Sequence, residues 1–331
     1  MTPASEPLAA SEEKNAFTAI SGEVQAIFDK CKGAVIRIEA MDAYGPHAGT
    51  GFFIDPAGTI YTHYSVAGRS WNLTVEFAGK KFPATCLLAD ERSGVSLLSI
   101  QAGPTPFLPI GNSAELKVAS AVVAIGYPRE LPVSPTFGLV AGFDQKFFGA
   151  ALPTTHIRAN VPVQAGESGA PLLNAKGQVV GILVCQFDYG AVCLSLPIQA
   201  AEKVRMDYLR FGSAHPGWVG VTPKPVDGDD ENGEVTVERM DNDGPAMQAG
   251  LKVGDVICRV GRMPIRRLVD VRDASFYLTA DEMVPVEVMR EGKMVKFEVK
   301  VASPPGASMA LPPTRMSDPG RSPLTLRSSR P

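Results

Sequence analysis

Between residues 34 and 198 the chain is a succession of short apolar runs broken by Gly, Pro, Asn and Asp. "AVIRIEA", "GTGFFID", "LTVEFA", "VSLLSI", "VVAIGYP", "QVVGILVCQF" and "AVCLSLPI" are among them. Such runs are short for a globular helix, rich in Val and Ile, and separated by turn residues, so they read as strands. Many short strands at this spacing leave a sandwich or a barrel as the available architectures. About a dozen strands suit two six-stranded β-barrels, so a mainly-β fold is expected.

The flanks read differently. Ile20, Val24, Ile27, Phe28 and Cys31 recur at helical spacing and predict an amphipathic helix over 18–31. "QAAEKVRMDYLRF" at 199–211 predicts a second helix. The stretch 217–302 mixes strand patterns with two short helices and reads as an α+β domain of its own. Residues 1–17 are polar, and 303–331 are rich in Pro, Ser and Arg, so both are expected to be disordered. The 331 residues thus divide into tails at 1–17 and 303–331 and domains at 18–212 and 213–302.

Composition narrows the function classes. Hydrophobic residues make up 45% of the chain, which predicts a packed core. The net charge is −3 and no basic block stands out, which argues against nucleic acid as a partner. No apolar run reaches membrane-spanning length, so no membrane span is expected. "MTPASEPLAASEEKNAF" lacks the basic and apolar regions of a signal peptide. Two compartments stay open: periplasmic or secreted if a leader was removed, cytoplasmic otherwise. The five cysteines form no zinc pattern, and no metal or other cofactor is expected. Cys185 and Cys193 flank "QFDYGAV" and could face each other across a hairpin. A disulfide is open there, with two reduced, half-buried thiols the preferred reading.

Gly166-Glu167-Ser168-Gly169 sets a serine in a glycine turn between apolar strands. Glycines let backbone N–H groups converge on one point, as an oxyanion hole requires. A turn of this kind alone is often only a turn. Here it continues through Pro171 into "LLNAKGQVVGI", a hairpin that returns as a core strand.

With that continuation the chain resembles the HtrA/DegP family of trypsin-like serine proteases. "GESGAPLLNAKGQVVGI" matches the family's nucleophile turn and hairpin, with Glu167 in place of Asn and Ala170 in place of Gly. "GTGFFIDPAGTIYT", "GYP" at 126–128 and "CLSLPI" at 193–198 fall in the family's order, and the resemblance covers roughly 18–302. It implies a trypsin-like double barrel with Ser168 as nucleophile and Gly166 in the oxyanion hole. It also exposes two departures. After Thr62 the family reads Asn-x-His, so Ser65 stands at the histidine position and His63 at the Asn. In "DERSGVSLLSI", Gly94 stands at the aspartate position. His63 is a substitute base only if a local shift of the chain brings it within about 3 Å of Ser168, with Asp90 or Glu91 then supplying the carboxylate. His47, His156 and His215 have no partner pattern and read as surface or packing residues.

Residues 217–301 resemble a PDZ domain, most specifically in "PAMQAGLKVGDVI" from Pro245 to Ile257. The resemblance implies that an extended peptide adds a strand to a sheet edge while loop N–H groups hold its terminal carboxylate. Trp218, Val219, Gly220 and Val221 are the candidate loop, and Val271 and Ser275, one helical turn apart, the candidate opposite wall.

The expected function is binding of peptide C-termini or unfolded protein by a catalytically impaired HtrA-like protein, a pseudoprotease. The alternative is an active serine endopeptidase using Ser168 with a displaced His63. A third reading is a subunit that modulates active relatives within a mixed trimer; as partners, a homo-trimer or a mixed oligomer with active relatives stays open, and protein quality control is the expected setting.

Overall fold

The structure is a computed structural model that describes residues 16–129, 131–147, 150–187, 191–226 and 233–306. The expectations for 1–15 and 307–331 lie outside these residues. So does the side chain of Cys185, and with it the question of its pairing to the buried Cys193.

The first helix, α1 (Ala16–Cys31), begins two residues earlier than its apolar spacing predicts. It buries Ile27 and Cys31 against the body, whereas Ile20, read as part of that face, is 44% exposed. Seven strands follow: β1 (Val35–Asp42), β2 (Gly45–Phe53), β3 (Thr59–His63), β4 (Trp71–Phe77), β5 (Lys80–Pro83), β6 (Thr85–Asp90) and β7 (Val95–Ser99). They form one antiparallel sheet in the order β5-β4-β1-β2-β3-β7-β6. This is one strand more than the six predicted. The extra one, β5, returns along β4 after a tight turn in which Ala78 and Gly79 both take positive φ. Between β3 and β4 lies a single helical turn, α2 (Tyr64–Ala67).

The second half closes a six-stranded barrel from β8 (Ala121–Gly126), β9 (Ser134–Phe147), β10 (Ala150–Ala159), β11 (Pro171–Leu173), β12 (Val179–Phe187) and β13 (Val192–Pro197). Helix α3 (Ile198–Phe211) then lays Ile198, Ala200, Ala201 and Val204 across the seam between the two halves. Burial of such aliphatic side chains stabilises each contact by about 1.5–3 kcal/mol. The core that α3 covers is shared: Phe52, Tyr61 and Leu97 come from the first sheet, and Ile125, Leu173 and Ile182 from the barrel.

The third unit is a sheet in the order β14-β15-β16-β18-β19, built from β14 (Val221–Pro225), β15 (Val235–Met240), β16 (Val256–Val260), β18 (Met283–Arg290) and β19 (Lys293–Lys300). The short β17 (Met263–Pro264) pairs with β16. Helices α4 (Pro245–Gln248) and α5 (Leu268–Phe276) complete it. β14 is an edge strand, and α5 stands beside it.

Two carboxylates join this unit to the barrel. Asp273 on α5 accepts from the Thr154 hydroxyl at 2.8 Å and from the Thr155 N–H and hydroxyl at 2.7 and 2.6 Å. Asp207 on α3, 3% exposed, accepts from Lys203 at 2.5 Å, the His215 N–H at 3.0 Å and the Thr279 hydroxyl at 3.3 Å. Removing one partner of a buried pair strands the other charge, at a cost of about 3 kcal/mol or more. Asp207→Ala is therefore expected to lower the urea midpoint strongly and to expose the segment around His215 to limited proteolysis. An unchanged midpoint would show that Asp207 holds nothing.

Candidate functional site

Ser168 sits in the loop between β10 and β11, and the loop is fixed from below by β2. Thr50, fully buried, donates its hydroxyl to the Gly166 carbonyl at 2.8 Å and its N–H to the Ser168 carbonyl at 2.9 Å. Its hydroxyl in turn accepts from the Tyr127 N–H at 3.0 Å. With both loop carbonyls drawn toward Thr50, the N–H groups of Gly166 and Ser168 donate to no group among the described residues. Two unpaired N–H groups, that of the serine and that of the glycine two residues before it, are the donor pair an oxyanion needs. Glycine is obligatory at two of these positions. Gly166 has φ +96°, and a Cβ there would lie 2.6 Å from the Tyr127 carbonyl oxygen. Gly169 has φ +86°, and a Cβ there would meet the Thr50 carbonyl oxygen at 2.3 Å. Thr50 was not singled out in the sequence. Its signal, the small hydroxyl residue inside "GTGFF", has meaning only once β2 lies under the loop.

Glu167, the residue before the nucleophile, lines the cleft with its carboxylate tied down. It is 3% exposed and accepts the Gln164 N–H at 2.6 Å. Burial pushes its carboxyl pKa up, against the pull of that hydrogen bond.

The structure brings His63, Ser65 and Ser168 together in a cleft of about 420 Å³. A fully extended strand would separate His63 from the histidine position by one two-residue repeat. The chain avoids this because β3 ends at His63 and α2 begins at the next residue. His63 is the N-cap of α2, and its Nδ1 accepts the Ser65 N–H at 3.2 Å. Nδ1 is 2.8 Å from Ser65 Oγ and 3.4 Å from Ser168 Oγ, and the two hydroxyl oxygens are 3.1 Å apart.

These contacts dictate the protons. An Nδ1 that accepts a backbone N–H carries no proton, so the neutral ring is protonated on Nε2. Ser65 then donates to Nδ1. Ser168 donates to the Val184 carbonyl at 3.1 Å, away from the ring. Burial, followed by the nearby His156, lowers the His63 pKa to about 4. A base this weak takes a serine proton poorly at neutral pH.

Gly94 faces the other side of the imidazole. A Cβ on Gly94 would lie 2.8 Å from His63 Nε2, and Gly94 has φ +80°. His63 therefore fills the space that an acidic side chain at position 94 would need. Asp90 and Glu91, considered as replacement carboxylates, are engaged elsewhere. Asp90 caps the turn through the Ser93 N–H, and Glu91 pairs with Arg69 at 2.6 Å. No carboxylate contacts His63 among the described residues.

The second candidate site lies between β14 and α5. Val271 and Ser275 line one wall of a groove of about 470 Å³, and Val221 and Pro223 the other. An adjoining small pocket is lined by Val219, Val221, Leu251 and Ile257. The N–H groups of Val219 and Gly220 have no partner among the described residues. Trp218 departs from its expected role: its N–H donates to the Ala302 carbonyl at 2.7 Å, and its ring packs on Gly220. It buttresses the loop and contributes no donor to it.

Comparison with known proteins finds a family for each of the two units. Residues 49–182 match the trypsin-like peptidase domain family, and residues 217–301 match the PDZ domain family. In fold and domain order the chain resembles the HtrA-type proteases. A probable periplasmic serine endoprotease, DegP-like, from Pseudomonas fluorescens is 32% identical over 273 residues, covering 78% of this chain and 56% of that one. A protein of the same description from Chlamydia pneumoniae is 29% identical over 269 residues, covering 78% and 55%. The HtrA-like chain thus spans little more than half the length of these curated relatives. The HtrA-type protease AlgW, solved with a tripeptide, superposes with a TM-score of 0.70 at 21% identity, covering 85% of this chain and 97% of AlgW.

The Gly94–His63 contact has a consequence for rebuilding a triad. Ser65→His with Gly94→Asp is expected to stay inert, because the new carboxylate collides with His63. Adding His63→Asn removes the collision, and Asp is among the residues that best tolerate positive φ. Hydrolysis of a casein substrate should appear only in the triple variant. Equal hydrolysis by the double variant would show that His63 leaves its place freely.

Proposed function

We propose that this chain is an HtrA-like protein that binds peptides or unfolded protein and whose peptidase site is catalytically impaired. The observation that carries the reading is the state of the base. The imidazole nearest Ser168 has a pKa of about 4, lacks a carboxylate partner among the described residues, and takes its hydrogen bonds from Ser65. Loss of the base costs on the order of 10⁶-fold in turnover where a full triad operates. An intact oxyanion hole retains only about 10³-fold over water. The oxyanion loop and the PDZ groove remain, and both are suited to holding peptide backbone. Solved AlgW carries a tripeptide or a decapeptide, which supports peptide as the partner class.

The division into a protease-fold domain at 18–212 and a PDZ domain at 213–302 belongs to the same proposal. So do assembly as a homo-trimer or with active relatives, and a role in protein quality control. The relatives named periplasmic favour the periplasm over the cytoplasm as its compartment.

One observation favours the rival reading of a working endopeptidase: His63 Nδ1 lies 3.4 Å from Ser168 Oγ, with Ser65 between them as a proton bridge. Fluorophosphonate labelling separates the two. No stoichiometric labelling of Ser168 is expected. Labelling that disappears in His63→Ala, and that is flat above about pH 5 because a base with the lowered pKa is already neutral there, would establish the rival.

For peptide binding, a peptide with a free apolar C-terminus is expected to bind markedly more tightly than its C-terminal amide. The loop N–H groups lose a charge-assisted partner when the carboxylate is capped. Equal affinities by fluorescence polarisation would remove the carboxylate loop from the mechanism.

A further inference from the structure

The accepting edge of the groove lacks most of its donors. Two hydrogen bonds fix which residues of β14 face inward. Asp241 donates its N–H to the Gly220 carbonyl at 2.9 Å, and Val226 donates its N–H to the Glu234 carbonyl at 2.7 Å. Alternate residues of a strand point their backbone groups to the same side. Thr222 and Lys224 therefore face β15, while Gly220, outside the strand with φ +74°, turns only its carbonyl to Asp241. The register shift in this pair falls on β15, where Arg239 and Val237 oppose successive residues of β14, so the alternation along β14 is unbroken. Val221, Pro223 and Pro225 are left to face the open edge. Proline has no N–H, and within sheets it is tolerated where that group would face outward. Of three outward positions, only Val221 can donate to an added strand. A peptide longer than its last few residues finds acceptors on this edge but no further donors.

The same groove carries two guanidinium groups, Arg92 from the loop after β6 and Arg272 from α5. Arg92 lies over the Phe276 ring at 4.5 Å, and Arg272 contacts the Gln145 side chain at 3.4 Å. Neither forms an ion pair among the described residues. Their neighbouring carboxylates are committed: Glu91 to Arg69, and Asp273 to Thr154 and Thr155. The chain as a whole is acidic, so this is a local positive site set along the path upstream of the carboxylate loop.

We propose that the groove selects short acidic C-terminal peptides, reading the free carboxylate and acidic side chains just upstream of it rather than a long backbone ladder. This rests on the PDZ reading above and names its ligand class. An extended ladder is the usual source of affinity in β-augmentation, with side-chain pockets supplying selectivity. With that ladder cut short at Pro223, selectivity falls on Arg92 and Arg272. Charge-assisted bonds from guanidinium to carboxylate are the strongest contacts they can offer.

The test uses the full chain and fluorescein-labelled peptides ending in Val, with Glu, Ser or Lys at the three preceding positions, in four-residue and ten-residue versions. The Glu peptides are expected to bind about tenfold more tightly than the Lys peptides at low salt, with the preference reversed by Arg92→Glu and Arg272→Glu together. Lengthening from four to ten residues with neutral additions should change affinity less than about threefold in the natural sequence, and more once Pro223→Val and Pro225→Val restore donors. A tenfold gain with length in the natural sequence, which needs no variant to fold, would overturn the proposal. So would indifference to Glu against Lys. Failure of every acid-terminated peptide to bind would instead overturn the PDZ reading on which it rests.

Discussion

The hydrogen bonds of Thr50 hold the site together. One buried threonine ties β2 to the nucleophile loop through two carbonyls, and to Tyr127 after β8 through its hydroxyl oxygen. Its own carbonyl accepts the Thr62 hydroxyl at 2.8 Å, which anchors β3 one residue before His63. A single side chain and its backbone thus set Ser168, the open N–H pair and the strand bearing His63 relative to one another. Because Thr50 is fully buried, loss of any of these bonds leaves a polar group without water to replace it.

That arrangement makes the geometry of the oxyanion loop independent of the hydrogen bonds that hold the His63 ring. The oxyanion loop depends on Thr50, Gly166 and Gly169, none of which hydrogen-bonds to the His63 imidazole among the described residues. The base depends on where β3 stops and on what stands opposite at position 94. His63 and Gly94 are a matched pair: the imidazole occupies the space a side chain at 94 would fill, and the absence of that side chain lets the ring settle there as a helix cap. Capping then orients Nδ1 toward a backbone N–H and the Ser65 hydroxyl, while the Ser168 hydroxyl donates to the Val184 carbonyl, away from the ring. In the proposed reading, a local change of hydrogen-bond partners is what weakens the chemistry while the surrounding fold is kept.

The PDZ groove is held against the protease-fold half by carboxylates that are buried or fully engaged. Asp273 on the groove helix is bonded three times to β10, and Asp207 joins α3 to the segment leading into β14. Arg92 reaches the groove from the first sheet. The groove is therefore a composite of both halves, and its charge is set partly by residues outside the PDZ sequence.

Much of this was legible in the sequence. Strand spacing gives the mainly-β class, since alternation and turn residues are local signals. The glycine turn names Ser168, and the resemblance locates Ser65 and Gly94, because linear motifs preserve spacing. The Pro residues of β14 are equally plain in the sequence, but which edge they face depends on hydrogen-bond parity across the sheet. His63 shows the limit most clearly. Counting residues separates it from the histidine position, whereas the break from strand to helical turn at residue 63 folds its ring back to 3.4 Å from Ser168 Oγ. Thr50 beneath the loop, Trp218 turned from donor to buttress and Arg92 in the groove all follow from contacts between segments far apart in the chain. Local sequence determines which strands and turns can form. Only tertiary packing decides which backbone groups are already spent, and so which remain to hold a ligand.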